Sequence, residues 1–151
     1  MTNALAARFV SALFVPATAI AISLTAPGLA KAESQRVYHP IPLPESNEVS
    51  DTLTDKDIPT GEGGFARDYT VKLEAKDQVS IDLTSESFDT IVTLMKDGVN
   101  VGQNDDGSDG STNSLLFTRI KEAGIYTVRV RAFGEAAGGS FKLKVTRLRP
   151  I

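Results

Sequence analysis

The sequence predicts an all-β protein, an antiparallel, jelly-roll-like β-sandwich of seven or eight strands. Three observations predict it. From about Val49 onward apolar residues recur at every second position, the period of a sheet with one face buried. Clusters of Gly, Asn, Asp and Ser separate these segments, as turns require. Beyond the first 32 residues no stretch sustains a helical period.

The elements follow in chain order. Residues 9–26 form an almost unbroken apolar run, preceded by Arg8 and followed by Pro27, Gly28 and Ala30-Lys31-Ala32. Small residues flanking a cleavage point after an apolar core mark a signal peptide, so residues 1–32 are expected to be removed between Ala32 and Glu33. A retained membrane anchor is the competing reading, and Pro16 inside the run argues against it. The protein contains no Cys, which excludes a lipid-anchored cysteine, disulfides and thiolate metal sites. Processing would leave 14 basic and 19 acidic side chains, a formal charge of −5. That balance gives no support to nucleic-acid binding. It suits an exported protein, periplasmic or extracellular, with no membrane span after cleavage.

Residues 33–48 read as a spacer. His39-Pro40-Ile41-Pro42-Leu43-Pro44 places a proline at alternate positions, which favours an extended, polyproline-like course. A docking peptide for another protein is the alternative.

Residues 49–151 form the folded domain. Tyr69, Val71 and Leu73 alternate with polar residues, as do Val79, Ile81 and Leu83, then Tyr126, Val128 and Val130, then Phe141, Leu143 and Val145. Residues 90–95 and 114–120 are more continuously apolar and are expected to be more buried. The simplest register joins sequence neighbours as hairpins. Val71 then lies opposite Ile81, and Val128 opposite Leu143, which keeps every apolar side chain on one face.

These residues, taken in order, resemble the bacterial pre-peptidase C-terminal domain, a β-sandwich commonly appended to secreted proteases. The resemblance spans residues 53–148. It rests on Tyr69-Thr-Val-Lys-Leu-Glu-Ala75, Gln78 to Leu83, Phe88-Asp89 and the strand after it, Asp97-Gly98, Asn104-Asp105-Asp106, Asn113-Ser114, Ala123-Gly124-Ile125-Tyr126 and Gly139-Ser140-Phe141-Lys142-Leu143. It departs from the family at Lys76, where a glycine is usual, so this turn must form without glycine's freedom. The protease such domains accompany is not within these 151 residues, so the module's role beside an enzyme does not transfer directly.

Two constellations are candidate sites. The first is Asn104-Asp105-Asp106-Gly107-Ser108-Asp109-Gly110, with Asp89 joining from a neighbouring strand end. Clustered oxygens of this kind suit Ca²⁺, although Leu116 stands where an EF-hand loop needs its bidentate glutamate. The competing reading is a turn whose Asn and Asp side chains bond their own backbone. No other cofactor is implied. The second is a basic face of Arg129, Arg131, Lys142 and Lys144, which the hairpin register sets side by side. Like charges directly opposite are unfavourable, so this face either meets acids on a third strand (Glu74 or Asp82) or faces an anionic partner.

Catalysis finds no footing. The one His, His39, lies in the proline-rich segment, outside any Ser-His-Asp arrangement in the folded part. The expectation is a non-catalytic binding or accessory module that contacts a protein or an envelope polymer. The alternatives are a secretion or maturation factor for a partner secreted protease and a structural envelope component.

Overall fold

The computed structural model describes residues 38–107, 110–134 and 138–148. The expected signal peptide and its cleavage point lie outside these residues. No helix among the described residues is long and apolar enough to cross a membrane.

Among these residues ten strands form two sheets. The first contains β1 (Ile41–Pro42), β4 (Phe65–Leu73), β9 (Gly124–Ala132), β6 (Thr90–Lys96) and β7 (Val99–Asn104) in that order, with β3 (Ile58–Pro59) also pairing β4. The second runs β2 (Glu48–Leu53), β10 (Gly139–Leu148), β5 (Gln78–Thr84), β8 (Ser114–Arg119). Setting aside β1 and β3, of two residues each, eight longer strands remain. Counted in chain order their sheet orders are 2-7-4-5 and 1-8-3-6, the double wrapping of a jelly roll.

The alternating residues supply the core as expected. Tyr69, Val71 and Leu73 on β4, Val128 and Val130 on β9, Val79, Ile81 and Leu83 on β5, and Leu143 and Val145 on β10 are all buried. The two sheets meet through aromatic edges. Phe141 on β10 stands T-shaped to Tyr69 on β4, with ring centres 6.3 Å apart, and to Phe88 at 6.4 Å. Such contacts add about 0.5–1.5 kcal/mol beyond burial. The Tyr126 hydroxyl donates to the Glu122 carbonyl at 2.7 Å, which satisfies its polar end.

The hairpin register is overturned. β4 pairs with β9, so Tyr69 faces Val128 and Val71 faces Tyr126. β10 pairs with β5, so Leu143 faces Leu83 and Val145 faces Ile81. Chain neighbours β4 and β5, like β9 and β10, sit in different sheets. Both arrangements keep the same side chains inward, so alternation could not separate them. What separates them is closure, since two sheets wrapped over one core bury both inner faces.

Local turn chemistry fared better. Asp97-Gly98 closes the β6–β7 hairpin with φ of 50° and 79° and Lys96 opposite Val99, a two-residue turn of the type that Asp-Gly favours. Lys76 does adopt a left-handed backbone, φ 75°, and its amide is tied to the Ile120 carbonyl at 2.8 Å. A Cβ on Gly139 would lie 2.4 Å from the Ser87 Cβ, so β10 can begin there only with glycine.

Two further expectations change. The proline-rich segment is not a free spacer from Tyr38 on. Ile41–Pro42 pairs in parallel with Tyr69 and Thr70, the Leu43 amide donates to the Thr70 carbonyl, and Leu43 packs against the core. Within the stretch 114–120, residues 114–119 form an edge strand that alternates in burial, leaving Phe117 58% exposed.

Candidate functional site

Three groups of polar and charged residues bear on function. At the open edge between the sheets, the Tyr69 hydroxyl donates to Asp51 at 2.7 Å. Asp51 also meets Arg67 Nη1 at 2.7 Å, and Arg67 forks onto Asp57 at 2.7 and 2.9 Å. Asp57 in turn accepts the Thr54 amide at 2.7 Å. The chain of bonds ties β2 of the second sheet to β4 of the first. Burial opposes ionisation of Asp51, yet the Arg67 guanidinium, the Tyr69 hydroxyl and the Thr52 amide outweigh it and hold its carboxyl below the usual range. Burial and the Asp51 charge together push the Tyr69 hydroxyl well up. These groups bond one another, so the arrangement is a clasp.

The Asn-Asp loop is the second place. Asn104 Oδ1 accepts the amides of Asp106 at 2.9 Å and Leu115 at 3.3 Å. The Gly107 amide donates to the Ser111 carbonyl, and the Gly110 amide to the Gly107 carbonyl. Asp105, Asp106 and Asp89 are exposed, and the Asp89 carbonyl accepts the Phe133 amide at 2.8 Å. Among the described residues no three acidic or imidazole side chains converge. Asp109 lies outside the described residues. The described part of the loop is therefore braced by Asn104, the behaviour of a turn whose side chain bonds its own backbone.

The four basic residues do not share a face. Arg129 and Arg131 lie on β9 and project from the outer side of the first sheet, whereas Lys142 and Lys144 lie on β10 in the second. The repulsion expected between Arg129 and Lys142 does not arise, because β4 places Asp68 opposite Arg129. Asp68 takes Arg129 Nε and Nη2 at 2.8 Å each, a bidentate fork. Lys142 pairs with Glu48 at 2.7 Å. Lys144 sits between Glu48 on one side and Asp82, one of the two expected acids, on the other.

The Arg129 pair anchors a groove of about 340 Å³ on the outer face of the first sheet. The Asp68 side chain is only 1% exposed, against 31% for Arg129. Its carboxylate, with Tyr38 beside it, raises the Arg129 guanidinium's affinity for its proton. Two residues along, Arg131 Nη1 meets Glu62 at 3.1 Å. The β3 loop forms one wall and β7 the other, contributing Ile58 and Gln103 among others. Sequence reasoning named Arg129 and Arg131 but missed Asp68, Glu62 and Gln103. Asp68 occupies a solvent-side position of its strand, and nothing in its own pattern marks it as buried.

Aromatic side chains are exposed at three positions among the described residues. Phe117 and Phe133 are 58% and 57% exposed, and they join Tyr38. They lie on different elements, Phe117 on β8 and Phe133 after β9. His39 is exposed and shares a shallow hollow with Asp57 and Asp68, whose described lining contains no Ser, Thr or Cys.

The pre-peptidase C-terminal domain of a collagenase from Bacillus anthracis superposes with a TM-score of 0.54 at 12% identity, over 72% of this chain and 95% of that one. PliG from Aeromonas hydrophila, a periplasmic inhibitor of g-type lysozyme, gives 0.54 at 15% identity over the same shares. PliG from Salmonella Typhimurium gives 0.50 at 10% identity, over 74% of this chain and all of that one. At such identities the likeness is one of fold. No curated protein sequence matches the chain. The family model of the bacterial pre-peptidase C-terminal domain matches residues 66–132, from β4 to the end of β9, and so ends short of the Gly139-Ser140-Phe141 stretch that also carried the resemblance. Over residues 66–132 this β-sandwich is a match to the bacterial pre-peptidase C-terminal domain.

Proposed function

We propose that the chain is an exported, non-catalytic binding module that contacts a protein or an envelope polymer. The observation that carries this reading is the groove on the first sheet, where a buried carboxylate holds Arg129 in a fixed orientation. Pre-organised guanidinium groups serve recognition of anionic partners. Two structural neighbours are described as inhibitors of a lysozyme. A sandwich of this build therefore suits action by binding another protein, which favours a protein partner over a polymer. The collagenase neighbour keeps the accessory role beside a secreted protease as a second reading.

Export is tested by intact-mass analysis of the protein recovered outside the cytoplasm, which should start at Glu33. Binding is tested by capturing exported and envelope proteins on the immobilised mature chain. Saturable retention of one protein supports the module. Hydrolytic activity of the purified chain on protein or peptidoglycan substrates, lost on His39→Ala, would replace it with an enzyme.

A further inference from the structure

The groove on the first sheet holds two arginines whose present partners differ greatly in hold. Arg129 is fixed by a buried carboxylate that takes Nε and Nη2, with the Tyr38 hydroxyl also against its guanidinium. The Arg131 guanidinium has, among the described residues, one ionic partner, Glu62 at a single 3.1 Å approach. Glu62 is 77% exposed and rides a loop in which Gly61 and Gly63 have φ of 80° and 93°. An exposed one-point ion pair on a glycine-rich loop is readily exchanged for another.

We propose that this groove binds an extended acidic polypeptide of a partner protein, whose carboxylates take Arg131 and approach the exposed part of the Arg129 guanidinium, with Glu62 as a built-in competitor. The inference rests on the binding-module reading. Arg129 and Arg131 are alternate residues of β9 on one face, so they stand roughly 6.5–7 Å apart along the strand. An extended peptide carries every second side chain at the same spacing, so acids at alternate positions match both arginines. The remaining lining suits a peptide as well. Gln103 Oε1 accepts the Thr93 hydroxyl at 3.1 Å, which leaves its amide N–H groups for a peptide carbonyl, while Ile58 and Met95 offer apolar surface. No aromatic ring lines the groove among the described residues, so the stacking surface that a sugar polymer would use is not part of it.

The test is fluorescence anisotropy with the full chain and a labelled peptide of alternating glutamate and alanine, against the glutamine–alanine peptide as control. The acidic peptide should bind more tightly than the control and weaken as salt rises. Glu62→Gln should tighten binding about two- to fivefold by removing the competitor, while Arg131→Gln weakens it about tenfold or more. Arg131→Lys, which keeps the charge and loses the fork, should fall between. Thermal melts establish that each variant is folded. The proposal is overturned if the acidic peptide binds no better than its control, or if Glu62→Gln leaves affinity unchanged or weaker. Equal binding by Arg131→Gln, or tighter binding of a carboxylate-bearing polysaccharide such as polygalacturonate, overturns it too. Should the immobilised chain capture an exported protein equally well with and without Arg131→Gln, the module reading stands and the groove assignment fails.

Discussion

Replacing Asp68 and Arg129 singly and together tests the sheet order at its most informative point. The two removals should not cost the same. Arg129→Ala strands a carboxylate whose side chain is 1% exposed, and breaking a buried pair from that side costs about 3–5 kcal/mol. Asp68→Ala strands a guanidinium that is 31% exposed and can turn toward water. Its cost should be lower, about 1–3 kcal/mol, mostly from the lost charge-assisted bonds. The double variant leaves no charge uncompensated, so its cost should fall short of the sum of the singles by about 1–3 kcal/mol. Urea melts supply the values, with the midpoint moving at constant slope. If Arg129 instead faced Lys142, as sequence-adjacent hairpins would have it, Asp68→Ala would cost under about 0.5 kcal/mol and the cycle would close additively. That result would refute the pairing of β4 with β9, and the groove with it.

Three further outcomes are expected. Leu143→Ala, at the centre of β10 between Leu83 and Val49, should cost about 2–5 kcal/mol. Lys142→Ala, an exposed side chain with a half-buried Glu48 partner, should lose about 0–1 kcal/mol, and an equal cost in urea melts for the two would contradict their opposite facing. Because the Asp51 carboxyl is held below its usual 3.8, its stabilisation is present above that pH and drains away as pH falls through the lower folded value. The acid limb of a stability–pH profile should flatten in Asp51→Asn, and an unchanged limb would assign acid unfolding to other groups. For the Asn-Asp loop, millimolar Ca²⁺ and chelator should give the same Tm, since Asn104 Oδ1 already accepts two amides. A Ca²⁺-dependent rise abolished by Asp105→Ala with Asp106→Ala would assign a metal site there.

Alternation in the sequence determined which side chains face the core, down to Tyr69, Tyr126 and Phe141, because a pleated strand sends successive residues to opposite faces whatever lies beside it. Turn chemistry was equally local. Asp97-Gly98 needs only its own dihedrals, and Lys76 reports its awkward turn by standing where glycine is usual. Strand partnership was not local, since each apolar segment fits any other that offers the same periodicity. The choice of β9 for β4, and of β5 for β10, came from wrapping two sheets over one core. The candidate site inherits that dependence. Arg129 and Arg131 were visible as exposed cations, but whether they faced Lys142 or Asp68 turned on which strand lay alongside. The same holds for the proline-rich segment, where composition set an extended backbone, while its docking on β4 required an open sheet edge that only the folded domain presents.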